Sequence, residues 1–374
     1  ICKQMVLRPD VIHCNDWQTG LIPASLHSQY ATLPGFENAA SVMTLHNMAY
    51  QGNFWHFDMP LTGMDWKFFN MYQMEMWGRL NLLKTGIAFA DQITTVSPTY
   101  ASEICTTQGG EGMDGLLRSR RGDLTGILNG IDIDDWNPKT DRHLPAHYFV
   151  TTPQPGKSQC KTHLQERIGL PEQKDVPLIG MVSRISDQKG FDILAECVEQ
   201  LLAESLQFCF LGTGDPRLES YLKYLSQQYP EQVATIIGFD ESLAHQIEAG
   251  SDIFLMPSRF EPCGLNQMYS LMYGTLPIVR NVGGLADSVV DVTPETIQAG
   301  TATGFVFDDY SSTALATTVA RALELYRKQD VWKKVMTNGM SQDWSWTKSA
   351  HHYVETYHKA KERRHDRHLE GRAS

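Results

Sequence analysis

Glu261, Arg184 and Lys189 sit where their side chains could do chemistry. Glu261 lies in Ser258-Arg-Phe-Glu-Pro-Cys263-Gly264-Leu265-Asn266, a carboxylate on a proline-flanked loop directly after an apolar run. Arg184 and Lys189 fall in Ser183-Arg-Ile-Ser-Asp-Gln-Lys-Gly190, again directly after an apolar run. Arg offers a planar fork and Lys a compact point charge, and both suit phosphate oxygens. Gly283-Gly284 opens a helical pattern, where glycines permit close backbone approach and free N–H groups at a helix start attract a diphosphate. Gly212-Thr-Gly214 and Gly238-Phe239 complete the set. Singly, each has an ordinary explanation. Gly212-x-Gly214 is a common turn, Arg184 or Lys189 could be surface residues, Glu261 could be an acid near a helix start, and Phe239 could be core. Their shared placement at the ends of apolar runs points to a phosphorylated ligand.

Those runs are the elements that must position the charges. They are Pro177–Ser183, Gln207–Leu211, Val233–Ile237, Asp252–Met256 and Leu276–Val279, and helical patterns alternate with them. Between the first two, Phe191, Leu194, Val198, Leu201 and Leu202 recur at helical spacing. Alternation of this kind predicts a parallel sheet covered on both faces, a doubly wound α/β domain, which binds ligands at the carboxyl ends of its strands. The first half reads similarly, with strands at Val11–Cys14, Ser41–Leu45 and Gln92–Val96, and helices over Trp17–Leu33 and Phe68–Ala90. The expected division is a first α/β domain over 1–130, a linker with crossing segments over 131–175, a second domain over 176–341, and a terminal segment over 342–374. The linker is rich in breakers (Pro138, Pro145, Pro153, Pro155, Gly156, Pro171), and Trp344–Lys361 reads as a helix returning to the first domain.

Composition limits the partners. A chain of 374 residues with 42% hydrophobic and 20% charged residues has the makeup of an ordinary globular protein with room for two cores. A net charge of −11 argues against a nucleic-acid partner. The basic residues from Lys359 to Arg372 are interleaved with Glu362, Asp366 and Glu370, as on a solvated helix. No run is long and apolar enough for a membrane span. Seven cysteines without a C-x-x-C pair suit a reducing cytoplasmic setting, with neither a disulfide framework nor a zinc site. The chain begins at Ile1 and enters a strand pattern within ten residues, so its start reads as a cut end.

Five motifs together resemble the glycogen and starch synthase family of retaining glycosyltransferases. They are His13-Cys-Asn-Asp-Trp-Gln-Thr-Gly20, Thr44-Leu-His-Asn-Met-Ala-Tyr-Gln-Gly52, Val182-Ser-Arg-Ile-Ser-Asp-Gln-Lys-Gly190, Ser258-Arg-Phe-Glu-Pro-Cys-Gly-Leu-Asn-Gln267 and Gly283-Gly-Leu-Ala-Asp287. The resemblance covers nearly the whole chain. It implies the GT-B arrangement of two facing Rossmann-like domains, the first incomplete at its N-terminus. It further implies ADP-glucose as donor, a growing α-1,4-glucan such as glycogen as acceptor, and no metal or other cofactor. The family's Lys-x-Gly-Gly-Leu loop does not occur in these 374 residues. In a doubly wound domain, the segment that would carry it amounts to about a hundred residues.

The resemblance also assigns roles. Glu261 would bind donor-sugar hydroxyls near the anomeric carbon, while Arg184 and Lys189 would neutralise the departing diphosphate. Cys263, Gly264 and Leu265 would face the glucose through their backbone, with Gly283 and Gly284 beside the diphosphate. Phe239 would stack on adenine where the family often has Tyr. His46 and Asn47 would contact the sugar, and Asp16 and Trp17 would line the acceptor side. Two alternatives stay open: a related GT-B transferase using UDP-glucose, and a non-catalytic remnant that binds glucan or nucleotide.

Overall fold

The computed structural model describes residues 7–373, with side chains described as far as Arg367. The chain forms two compact units, residues 1–129 with 347–374 and residues 130–346.

Unit 1 contains β1 (Val11–Asn15), β2 (Ala40–Leu45), β3 (Asn53–Trp55), β4 (Glu75–Met76), β5 (Arg79–Asn81), β6 (Gln92–Thr95) and β7 (Leu124–Gly126). Four of these form a parallel sheet in the order β1–β2–β6–β7. Strand β2 is buried along its whole length, as a parallel strand covered on both faces must be. Helices α1 (Leu21–His27), α2 (Leu82–Phe89), α3 (Pro98–Glu103) and α4 (Asp114–Ser119) join the strands. Local chemistry starts two of them: the Asn81 side chain accepts from Lys84 N–H at 2.7 Å, and Ser97 accepts from Tyr100 N–H at 2.9 Å ahead of Pro98.

Two helices expected from the sequence are shorter than their apolar patterns. Over Trp17–Leu33 there is a 3-10 turn at Trp17–Thr19 and then α1, which ends at His27. Over Phe68–Ala90 only α2 is an α-helix. The preceding residues include β4 and β5, which pair with each other and with β3 in a small antiparallel sheet. The cause is local, because Trp77 (φ 50) and Gly78 (φ 75) both take positive φ and close a tight two-residue hairpin.

Unit 2 carries β8 (Leu178–Val182), β9 (Gln207–Gly212), β10 (Val233–Ile237), β11 (Ile253–Met256), β12 (Leu276–Arg280) and β13 (Phe305–Phe307). All pair in parallel in the order β10–β9–β8–β11–β12–β13. Its helices are α5 (Gly156–Ile168), α6 (Phe191–Leu201), α7 (Pro216–Gln228), α8 (Glu241–Gly250), α9 (Asn266–Tyr273), α10 (Gly283–Ser288), α11 (Pro294–Ala299), α12 (Ser312–Tyr326) and α13 (Gln329–Met340). Helix α6 turns Phe191, Leu194, Val198 and Leu201 into the core, the face its spacing predicts.

The stretch 131–175 is not the linker its prolines suggest. It contains α5, which packs on α8 and buries Cys160 and Leu164. It also buries Lys157, whose Nζ donates to Thr275 Oγ1 at 2.7 Å, Ala249 O at 3.0 Å and Tyr273 O at 3.1 Å. Burial pulls the Lys157 pKa from 10.5 down to about 8. Between pH 8 and 10.5 the unfolded chain keeps a proton the folded state has released, so this lysine makes stability rise with pH. Its contribution is fully present above pH 10.5 and is lost as the pH falls through about 8. We expect the unfolding free energy of the parent relative to Lys157→Met to increase by about 2 kcal/mol between pH 7.5 and 9.5. Denaturant titrations at the two pH values check this, and a flat or falling difference would refute it.

The terminal helix α14 (Trp346–Ala373) belongs to unit 1. Ala360 and Tyr357 pack on Val11, Ala40 and Val42 of β1 and β2. Arg364 donates to Leu26 O at 3.2 Å and Glu37 O at 3.3 Å, and Arg367 reaches the buried Asp91 carboxylate at 3.1 Å. No helix among the described residues is long and apolar enough to cross a membrane.

Candidate functional site

Numbered from β8, the strand order of unit 2 is 3-2-1-4-5-6, which reverses direction between β8 and β11. Loops leaving two such strands turn to opposite sides and leave a crevice at the carboxyl end. The register shows it opening: β8 and β11 pair only through Ile179–Ile253 and Gly180–Phe254, although both strands continue for two more residues. The loop after β8 carries Arg184 and Lys189, and the loop after β11 carries Glu261.

A partly buried ion pair spans the crevice. Lys189 Nζ lies 2.5 Å from Glu261 Oε2, and the same oxygen accepts from Ser258 Oγ at 3.0 Å. Glu261 is only 7% exposed, so its charge is satisfied by these two donors rather than by water. Lys189 is held by its own turn, with Lys189 N–H donating to Ser186 O and Gly190 in the left-handed region at φ 82. Arg184 is exposed and makes no side-chain hydrogen bond or ion pair among the described residues.

The Glu261 loop is fixed from two sides. Buried Gln267, at the start of α9, donates through Nε2 to Cys263 O at 3.1 Å and Gly264 O at 3.2 Å. On the other side, α10 lies directly against Glu261–Cys263. A Cβ on Gly283 would fall 2.0 Å from Glu261 O, and one on Gly284 2.0 Å from Cys263 O. This corrects the reading of Gly283-Gly284 as a source of free N–H groups. Gly284 N–H donates to Glu261 O at 3.2 Å and Pro262 O at 3.1 Å, and the N–H groups of Leu285 and Ala286 donate to Val282 O. The visible role of the glycines is close packing that sets the Glu261 loop.

Phe239 is no core residue. It is 92% exposed at the end of β10, the edge strand, two places from β8. Cys263 is buried and Leu265 partly exposed. Unit 2 therefore brings Lys189, Glu261, Cys263, Gly264, Gly283 and Gly284 together. Arg184 shares the Lys189 loop, and Phe239 stands on a separate strand.

In unit 1 the expected residues sit at the carboxyl ends of β1 and β2. Asp16 has φ 53, an uncommon conformation for a residue other than glycine. It is held by Asp16 N–H to Thr44 O at 2.9 Å and by His46 N–H to Asp16 Oδ1 at 2.8 Å. His46 Nε2 lies 2.9 Å from Asn15 Oδ1, which fixes the ring, and Asn47 Oδ1 accepts from Ala49 N–H at 3.0 Å. The Trp17 ring lies against Gly52, where a Cβ would come within 2.5 Å of it. Asp16 thus ties together the two loops that carry Trp17, His46 and Asn47.

The sequence reading missed the partners Ser258, Gln267 and Asn15. Each is one to six residues from a residue that was chosen, but only the folded loop shows which side chain turns toward it. The six described cysteines are buried and unpaired.

Residues 164–338 match the family model of glycosyl transferases group 1, and residues 1–119 match that of the starch synthase catalytic domain. With two parallel α/β units of this kind, the chain is a glycosyltransferase of the GT-B fold. It is 51% identical to the glycogen synthase of Anaeromyxobacter sp. (strain Fw109-5) over 351 residues, which cover 94% of this chain and 73% of that protein. The catalytic domain of starch synthase IV from Arabidopsis thaliana, solved with ADP and acarbose bound, superposes with a TM-score of 0.90 at 35% identity, covering 96% of this chain and 75% of that one. Sucrose-phosphate synthase from Thermosynechococcus elongatus, at 18% identity and a TM-score of 0.58 over 94% of this chain and 73% of that one, shares the fold alone. The chain belongs to the glycogen and starch synthase family, and its function is that of a glycogen synthase.

Proposed function

We propose that the protein transfers glucose from ADP-glucose to the non-reducing end of an α-1,4-glucan, with retention of configuration. The observation that carries this reading is the Lys189–Glu261 pair across the switch point of unit 2. It presents a cation and a carboxylate where a nucleoside-diphosphate sugar needs both. Lys189 and Arg184 neutralise the departing diphosphate, and Glu261 turns to the hydroxyls of the donor glucose. Exposed Phe239 offers its ring to adenine. In unit 1, Asp16 holds His46 and Asn47 for the sugar, and Trp17 serves the glucan. The diphosphate takes the acceptor's hydroxyl proton as the new glycosidic bond forms on the face from which it leaves. Charge neutralisation rests on Arg184 and Lys189, so the reading calls on no metal or cofactor.

Supplying radiolabelled ADP-glucose and UDP-glucose in parallel with glycogen tests the proposal. Label should enter glycogen from ADP-glucose in preference and be released by α-glucan hydrolases. Preference for UDP-glucose would overturn the donor assignment.

The pair also sets an expectation for Lys189. In Lys189→Ala, ADP loses a charge-assisted contact of about 1.5–3 kcal/mol and meets an uncompensated Glu261, so its affinity should fall by roughly 10- to 150-fold. Lys189→Ala/Glu261→Gln removes the repulsion and should recover part of that loss. Calorimetric titration with ADP reads both, and unchanged affinity in the single variant would make Lys189 only a partner for Glu261.

A further inference from the structure

Away from the switch point, unit 2 holds a histidine whose surroundings the transfer reaction does not use. His245, on α8, is 0% exposed. Its Nδ1 lies 2.8 Å from Asp141 Oδ2, which also accepts from Tyr273 Oη at 2.5 Å. Asp141 Oδ1 accepts from His143 N–H at 2.8 Å. With Asp141 accepting throughout, the ring hydrogen sits on Nδ1 and the Nε2 lone pair points the other way. The ring cannot easily turn, since Trp136 stacks on it at 3.7 Å between centroids and 13° between planes. Nε2 is buried without a hydrogen-bond partner. It faces Asp135, whose Oδ2 is 4.0 Å away, and Glu241, and one ligand atom from each of the three residues lies within 4.8 Å of the others.

We propose that Asp135, Glu241 and His245 bind a divalent transition-metal ion of the zinc class, pinning the start of α8 to the turn before Asn137. Glu241 and His245 stand four residues apart and so share one face of the helix. Zinc takes imidazole nitrogen and carboxylate oxygen at roughly 2.0–2.2 Å, and tetrahedral ligation brings ligand atoms to about 3.5 Å from one another. Asp135 and Glu241 are both exposed, so their carboxylates can close the remaining gap by rotation. A histidine that donates its second nitrogen to a buried carboxylate, itself hydrogen-bonded, has the outer-shell support typical of metal ligands. The donor set of one nitrogen and two carboxylates favours zinc or cobalt over magnesium, which prefers oxygen ligands alone. The N-terminal end of α8 repels a cation modestly, and two carboxylates outweigh it.

Titrating metal-stripped protein with Zn²⁺ by calorimetry tests the site. The expected result is micromolar or tighter binding, a rise in Tm with added zinc, a visible d–d band with Co²⁺, and no comparable response to Mg²⁺. Asp135→Asn and Glu241→Gln change exposed side chains only, so each should fold as the parent does without metal, while weakening zinc at least tenfold. Zinc binding unchanged in both variants would place the ion at thiols or other histidines and overturn the proposal. It is equally overturned if the parent binds no zinc and nitrogen NMR shows His245 protonated on both nitrogens at neutral pH, which would make it an imidazolium held by Asp141 and Asp135.

Discussion

Glu261→Gln should lower kcat for glucosyl transfer by roughly 100- to 1,000-fold, the effect of removing one preorganised electrostatic group from a transition state. Glutamine has nearly the shape of glutamate, and its single amide oxygen can accept from both Lys189 and Ser258, as Glu261 Oε2 does. The loop should therefore keep its place and Tm should stay near that of the parent. What disappears is the negative charge, which matters most as positive charge develops at the anomeric carbon, so the loss falls on kcat more than on KM. ADP lacks the transferable glucose, and its diphosphate competes with Glu261 for Lys189. Its affinity should hold or rise severalfold once the ion pair is gone. Steady-state kinetics with ADP-glucose and calorimetry with ADP separate the two effects. A kcat within threefold of the parent would reduce Glu261 to an anchor for Lys189.

That ion pair marks where sequence reasoning stopped. Five strands of unit 2 were legible because each is a short apolar run followed by glycine or charge, and residues after strand ends in a parallel sheet converge on one rim. The short β7 and β13 were not legible, since three residues carry no usable period. Helix α5 was obscured by the prolines ahead of it. Its polar-looking face, with Lys157 and Lys161, is buried because backbone carbonyls and Asp252 receive the ammonium groups, and no pattern of hydrophobicity encodes that. The structure gathers Lys189, Glu261, Cys263, Gly264, Gly283 and Gly284 in unit 2, but the sequence did not show how they partner. That Lys189 closes on Glu261, and that the N–H of Gly284 turns inward, depends on how two loops far apart in sequence meet.

Gly284→Ala should cost both stability and turnover, and for one reason. The new Cβ would lie 2.0 Å from Cys263 O and 2.6 Å from Cys263 C and Cα, all backbone atoms that cannot rotate away. Helix α10 and the Glu261–Cys263 loop must therefore separate, stretching the bonds from Gly284 N–H to Glu261 O and Pro262 O. Overpacking of this kind costs about 1–3 kcal/mol. The shift also carries Glu261 away from the position that Ser258 and Lys189 define, and a misplacement of about 1 Å can lower turnover on the order of 100-fold. Gly300→Ala supplies the comparison. Gly300 has φ 68 with nothing within 4 Å of its would-be Cβ, so alanine there should cost a left-handed penalty of about 1–2 kcal/mol. It lies outside the Glu261 loop, so kcat should stay near the parent value. Unfolding free energies place the two variants on one scale, and kinetics below their transitions then separates stability from placement. If Gly284→Ala retains the turnover of Gly300→Ala, α10 does not set the position of Glu261.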